Sequence, residues 1–174
     1  MSGVPLPTWI TLAYYSGWLA ILCLTATLSV SPLRALSNRV RQGHGTLRSA
    51  APARRALGIA SAVLATLHAF VSASQLHDFS RGGFGWLLDT AFVRWGLTGL
   101  LILLALLLTS FPKVVRMVHL RGWKELHRLA YVALACATMH CLLSPFAPRV
   151  WILALLAWAA CLASLRLVLR LWRS

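Results

Sequence analysis

Three histidines stand inside apolar segments of this sequence: His68, His127 and His140. His127 and His140 lie thirteen residues apart in the segment LHRLAYVALACATMHCLL (126–143). On an α-helix, which rises about 1.5 Å per residue, this spacing separates the two imidazoles by about 20 Å. Imidazole can bind a metal ion, change its charge near neutral pH, or form hydrogen bonds between helices. An ionisable side chain in an apolar segment is costly, so each of these histidines is a candidate functional residue.

The segments that carry these histidines are predicted to cross a membrane. The chain has 174 residues, of which 59% are hydrophobic and 11% charged, and its mean hydropathy is +0.75. A water-soluble domain with a solvated surface does not have this composition. Five apolar segments have roughly the length of a bilayer crossing. Their approximate bounds are 9–30, 56–76, 91–111, 126–144 and 150–168. We therefore expect an all-α integral membrane bundle of five transmembrane helices, which forms a single domain over 1–174 without a soluble domain.

The charged residues predict how this bundle is oriented. The net charge is +14, which in a soluble protein would suggest nucleic-acid binding. Here 14 of the 17 Lys and Arg residues lie in the segments 31–55 and 112–128 and at the C-terminus, which fall on one side of a five-span bundle. The positive-inside rule then places the N-terminus outside and the C-terminus in the cytoplasm. We expect these basic segments, interpreted as loops, to contact lipid headgroups, and we expect no nucleic-acid partner.

His68 and His140 are predicted to lie at the same depth in the membrane. Both lie on spans that run from the cytoplasm outward, His68 thirteen residues after Arg55 and His140 fifteen after Glu125. Each is therefore about 20 Å from the cytoplasmic boundary. Two imidazoles at one level can supply both axial ligands of a haem iron. The alternative is that both histidines form hydrogen bonds between helices of a cofactor-free protein.

His127 is predicted to lie at the cytoplasmic end of the fourth span. It is rotated by about 140° from His140 on an ideal helix, so one small cofactor cannot engage both. The spacing suits a second cofactor in the other leaflet. Arg54 and Arg55 stand at this level on the second span, where they could pair with haem propionates or a quinone headgroup, or simply flank the span. His119 could fold back as a second ligand for this inner site.

Several sequence motifs occur in a fixed order along the chain. They are SPLRAL (31–36), RRALGIASAVLATLH (54–68), W-x-x-LHRLAY (123–131) and His140 thirteen residues after His127. Together they resemble the ferric-reductase-like transmembrane family and, within it, the haem-binding membrane subunits of bacterial periplasmic methionine sulfoxide reductase systems. The resemblance extends from about residue 17 to about residue 143, which is most of the chain.

The resemblance implies one or two b-type haems, held by histidines that match His68, His127 and His140. It also implies that electrons arrive from the quinone pool or from a cytoplasmic flavin reductase that carries FMN. They would leave towards a periplasmic molybdenum-dependent enzyme that reduces methionine sulfoxide in oxidised proteins. The implied location is the bacterial cell inner membrane, which the chain crosses several times.

The sequence thus predicts a haem-containing electron-transfer subunit of a membrane oxidoreductase that takes part in methionine sulfoxide repair. Two other functions stay open at this point. The chain could be an autonomous transmembrane ferric or quinone reductase, or a cofactor-free scaffold or transporter whose histidines are structural. Whether the chain is an enzyme in its own right is also open.

Overall fold

The prediction of an all-α bundle is confirmed. The structure, a computed structural model, describes residues 8–40, 51–74, 89–111, 113–114 and 125–171. These residues form five α-helices and no β-strand. The helices are α1 (Thr8–Val40), α2 (Ala51–Ser74), α3 (Ala91–Leu108), α4 (Leu129–Leu143) and α5 (Arg149–Leu171). All except α4 are long and apolar enough to cross a membrane.

The fourth predicted span is not one regular helix, because a turn at 127–128 precedes α4. α4 itself has fifteen residues. Before it, the N–H of Arg128 donates to the carbonyl of Glu125 (3.0 Å), and the N–H of Ala130 donates to the carbonyl of His127 (3.3 Å). These tighter hydrogen bonds belong to a turn that leads into the helix. His127 therefore lies in the turn before α4 and not within the helix.

α1 is longer than the sequence predicts. The segment 31–55 was expected to be a loop, but α1 continues through Pro32 to Val40, and α2 already begins at Ala51. Proline has no N–H, so Pro32 leaves the carbonyl of Leu28 without its helical donor. Arg166 of α5 replaces that donor, because its Nη2 donates to the Leu28 oxygen at 2.8 Å. A partner from another helix thus allows α1 to continue past the proline.

A second hydrogen bond, this one between two side chains, also joins α5 to α1. Trp158 Nε1 donates to the hydroxyl of Ser29 at 3.1 Å. Arg166 also lies over the ring of Tyr131 of α4, with its guanidinium carbon 4.6 Å from the ring centroid. α5 is therefore held against the other helices by directional polar contacts as well as by apolar packing.

The other four helices pack chiefly as two hairpins, α1 with α2 and α3 with α4. Small residues bring the helices of each hairpin close together. Ser61 of α2 is fully buried, and its hydroxyl donates to the carbonyl of Ala20 at 2.9 Å. In the other hairpin, a Cβ on Gly99 would lie 3.3 Å from the Cβ of Cys136. The large apolar side chains that stay exposed, such as Phe70 and Leu101, suit a surface that faces lipid tails.

The alternating direction of the helices brings four helix ends together. The N-terminal parts of α1 and α3 meet the C-terminal parts of α2 and α4, as the contacts of His68 with Ala13 and of His140 with Phe92 show. We call this part of the molecule the histidine end. The positive-inside rule predicts that it faces outward, and this orientation stays a prediction.

Candidate functional site

The structure brings His68 of α2 and His140 of α4 together at the histidine end. Their ring centroids are 6.0 Å apart, and their ring planes are inclined at 82°. Both side chains are half-buried. The two histidines lie six and three residues before the ends of their helices. The two histidines, which the sequence predicts to lie at the same depth, are therefore also close to each other across the bundle.

In the first hairpin, the backbone of α1 holds the His68 ring. Its Nδ1 lies 2.7 Å from the carbonyl oxygen of Ala13. Gly17 follows one helical turn later, and a Cβ at Gly17 would lie only 2.8 Å from the same Nδ1. The imidazole thus lies directly against the Cα of a glycine, in space that any other side chain would fill.

In the second hairpin, α3 holds the His140 ring in the same way. Its Nδ1 lies 2.7 Å from the carbonyl oxygen of Phe92, and a Cβ on Gly96 would lie 2.7 Å from that nitrogen. The Phe92 ring also packs against the imidazole, with the centroids 5.7 Å apart. Each hairpin therefore contains a histidine on its second helix, a glycine on its first helix, and a carbonyl one turn before that glycine.

These contacts determine which ring nitrogen carries the proton. A carbonyl oxygen only accepts hydrogen bonds, so Nδ1 of each neutral imidazole must be the protonated nitrogen that donates. The lone pair then lies on Nε2, which is the form of imidazole that binds a metal ion. Histidine ligands of metals commonly donate their other N–H to a backbone carbonyl or a carboxylate in this way. Both histidines are thus in the tautomer whose Nε2 can bind a metal ion.

The separation of the two rings suits one metal ion between them. Two imidazoles that bind a metal from opposite sides at about 2 Å each have centroids roughly 6 Å apart, and the observed distance is 6.0 Å. No group of three or more His, Cys, Asp or Glu residues that could hold a metal occurs in the part of the chain that the structure describes. Two histidines alone match the axial positions of a haem, whose porphyrin supplies the other ligands.

His127 is not brought to this pair. It lies in the turn before α4, thirteen residues before His140, or about 20 Å along the helix direction. Its neighbour Arg128 forms an ion pair with Glu125. Arg54 and Arg55, at the start of α2, are exposed. His119, the other candidate for an inner site, lies outside the described residues. His127 is therefore a separate position from the histidine pair.

The two glycines that contact the imidazoles were not predicted from the sequence. Gly17 and Gly96 each interrupt an apolar segment, and glycine in a membrane helix often marks a close approach of another group. That signal was available, but it does not say which group approaches. The carbonyl acceptors of Ala13 and Phe92 belong to the backbone, which every residue has, so the sequence does not indicate which carbonyls accept these hydrogen bonds.

Comparison with known proteins agrees with this architecture. The family described as "Ferric reductase like transmembrane component" matches residues 16–138, so the chain belongs to that family. Two curated relatives are each named "Protein-methionine-sulfoxide reductase heme-binding subunit MsrQ". The protein of Deinococcus radiodurans is 35% identical over 129 residues, which cover 73% of this chain and 59% of the relative. The protein of Cronobacter sakazakii is 35% identical over 135 residues, which cover 75% of this chain and 62% of the relative.

The chain thus spans about 60% of the length of these two relatives. The predicted family is confirmed by the match. The predicted location is confirmed as well, because four helices suited to crossing a membrane and the relationship to these bacterial proteins identify a multi-pass protein of the bacterial inner membrane.

Proposed function

We propose that this chain is a haem-binding electron-transfer subunit of a membrane oxidoreductase, with His68 and His140 as the axial ligands of one haem. The observation that carries the proposal is the pair of imidazoles 6.0 Å apart, each with Nδ1 held by a backbone carbonyl at 2.7 Å. The description of two relatives as haem-binding subunits supports it. The sequence contains no CxxCH motif, so we expect a non-covalently bound haem b.

The roles of the protein groups follow from their contacts. His68 and His140 would bind the iron through Nε2, while their Nδ1–H groups donate to the carbonyls of Ala13 and Phe92. This donation makes each imidazole a stronger electron donor, and the surrounding apolar helices limit access of water; both effects tune the reduction potential. The bound haem would supply reversible one-electron transfer. The chain's own contribution is thus ligation, orientation and burial.

The proposed route of electrons follows from the predicted orientation. With the histidine end outward, electrons from quinol or from a cytoplasmic flavin reductase with FMN would pass to a periplasmic reductase. A molybdenum-dependent enzyme that repairs methionine sulfoxide is the acceptor we propose, since the names of both relatives include methionine sulfoxide reductase. His127, at the other end of α4, would hold a second haem or line the site where electrons enter.

An absorption spectrum of the purified full chain tests the proposal. The protein should be expressed with ample haem, purified in detergent and measured before and after reduction with dithionite. We expect a Soret band that shifts on reduction, and a pyridine haemochrome spectrum of haem b. A colourless preparation that stays folded and binds no added haem would contradict the proposal and favour structural histidines.

The same assay counts the haems and tests the role of His127. If His127 ligates a second haem, the wild type contains two haems per chain and His127→Ala contains one. If His127 only lines the entry site, the haem content is unchanged but reduction by a quinol analogue slows. An unchanged haem content together with an unchanged reduction rate would remove His127 from the proposal.

A further inference from the structure

The two hairpins hold their histidines with nearly the same geometry. From the Cβ position of Gly17, the nearest atoms of His68 are Nδ1 at 2.8 Å, Cε1 at 3.1 Å and Cγ at 3.3 Å. From the Cβ position of Gly96, the corresponding distances to His140 are 2.7, 3.1 and 3.3 Å. The same three ring atoms are nearest in both cases, in the same order. Two segments of different sequence thus reproduce one local arrangement.

Each ring is held at two points by the backbone of the facing helix. The carbonyl one turn before the glycine binds Nδ1, and the Cα of the glycine lies against the ring. A real Cβ essentially never lies closer than 3.0 Å to such an atom. Alanine at either position must therefore move the imidazole, which lengthens the hydrogen bond or rotates the ring. The orientation of each ring depends on backbone atoms and on the absence of one methyl group.

We propose that Gly17 and Gly96 are matched positioning residues that hold the two axial imidazoles in nearly perpendicular planes. This inference rests on the haem ligation proposed above, and it adds the orientation of the ligands and the residues responsible for it. The angle between the planes is 82°. Neither glycine would touch the iron; both act through the histidine that each supports.

Ligand orientation has a spectroscopic consequence that does not depend on activity. In a low-spin ferric haem, perpendicular imidazole planes leave two iron d orbitals nearly equal in energy, because each imidazole interacts with a different one. The electron paramagnetic resonance (EPR) spectrum is then strongly anisotropic, with one resolved feature at a large g value. Parallel planes separate the two orbitals and give a rhombic spectrum with three resolved features.

The first test is the low-temperature EPR spectrum of the oxidised wild-type holoprotein. We expect the strongly anisotropic signal from the haem that disappears in His68→Ala. A rhombic signal from that haem would overturn the inference about orientation and leave the proposed function intact. A wild-type protein without haem would overturn both. This test needs no glycine variant, so it stays decisive even where a variant does not fold.

The second test replaces the glycines one at a time. Gly17→Ala and Gly96→Ala should lose the haem, or keep it with the anisotropic signal replaced and the midpoint potential shifted. Gly58→Ala is the matched control, since the nearest atom to its Cβ position is Thr27 Cγ2 at 4.0 Å. It should retain the wild-type haem content, EPR signal and potential.

Gly99→Ala separates positioning from helix packing. Gly99 lies on the same helix as Gly96, and its Cβ would crowd the Cβ of Cys136 at 3.3 Å without an imidazole among its nearest atoms. We expect Gly99→Ala to lower thermal stability while the protein that folds keeps the anisotropic signal. If it changes the signal as Gly96→Ala does, the glycines act through packing alone and the inference fails. Wild-type signals in both Gly17→Ala and Gly96→Ala would also refute it.

Discussion

The histidine end and the contact of α5 with α1 use the same interaction with opposite consequences. In both places a side chain from another helix donates to a backbone carbonyl inside a membrane-spanning helix. The Ala13 and Phe92 carbonyls already have helical N–H donors at Gly17 and Gly96, so the imidazoles form additional hydrogen bonds. The Leu28 carbonyl lacks a helical donor because Pro32 has no N–H. Arg166 supplies the missing hydrogen bond.

This difference distinguishes a candidate binding site from a purely structural contact. An imidazole that donates through Nδ1 keeps a second nitrogen with a free lone pair, so its hydrogen bond prepares it for another ligand. A guanidinium has donors only, and at Leu28 it completes the hydrogen bonding of a helix. An ionisable residue within a membrane helix is therefore a strong functional candidate when its contacts leave a reactive atom available.

The largest effect should come from removal of either histidine. His68→Ala and His140→Ala should each abolish or severely alter the same low-spin haem signal, because a single remaining imidazole leaves the iron with an open position or too weakly held to stay bound. Haem per folded chain, from the pyridine haemochrome, measures the loss. Cys141→Ala, which alters the buried neighbour of His140, serves as the control and should retain haem. Full retention of the signal in either histidine variant would remove that residue from the pair.

Arg166→Met should destabilise the fold and leave the haem site unchanged. The substitution leaves the Leu28 carbonyl without a donor, which costs about 1–3 kcal/mol when the group is buried. Thermal unfolding in detergent measures the loss, and the haem content per folded chain should match the wild type. A loss of haem as complete as that in His68→Ala would break the distinction between the two contacts.

Pro32→Ala sharpens that prediction through a double-mutant cycle. Alanine restores an N–H at position 32, which can donate to the Leu28 carbonyl. Arg166→Met should therefore destabilise the protein less in the Pro32→Ala background than in the wild type. Equal destabilisation in both backgrounds would show that Arg166 acts through other contacts, such as its stacking on Tyr131.

The smallest effect is expected from Trp158→Phe. This substitution removes the indole N–H that donates to Ser29 at 3.1 Å and keeps an aromatic ring. Hydrogen bonds between helices within a membrane contribute about 0.6 kcal/mol on average. The unfolding midpoint should fall slightly, with unchanged haem content and EPR spectrum. A destabilisation as large as that of Arg166→Met would show that Trp158 is equally important for docking α5.

The sequence was sufficient for features that depend on distance along a helix. That His68 and His140 lie at the same end of the bundle follows from counting residues from the span boundaries, since each residue adds a fixed rise. The structure accordingly places both at one end of the bundle. Whether they ligate haem stays a prediction, as do the orientation in the membrane and the role of His127.

Features that depend on contacts between helices were not predictable in this way. The contact of His68 with Gly17 depends on how α1 and α2 rotate against each other. The expected loop at 31–55 is wrong for residues 31–40, where α1 continues, because the donor that lets α1 continue past Pro32 is Arg166, which lies 138 residues from Leu28 along the chain. Proline is a reliable helix breaker only while no other group satisfies the carbonyl it leaves open.

In the proposed site, two histidines and no other protein group ligate the haem at the histidine end. Near-infrared magnetic circular dichroism of the oxidised wild-type protein tests it most directly, because the energy of the charge-transfer band identifies the pair of axial ligands in a low-spin ferric haem. We predict the band of bis-histidine ligation, and its loss in both His68→Ala and His140→Ala. A band typical of histidine–methionine ligation or of a high-spin haem in the wild type would rule out His68 and His140 as the pair of ligands.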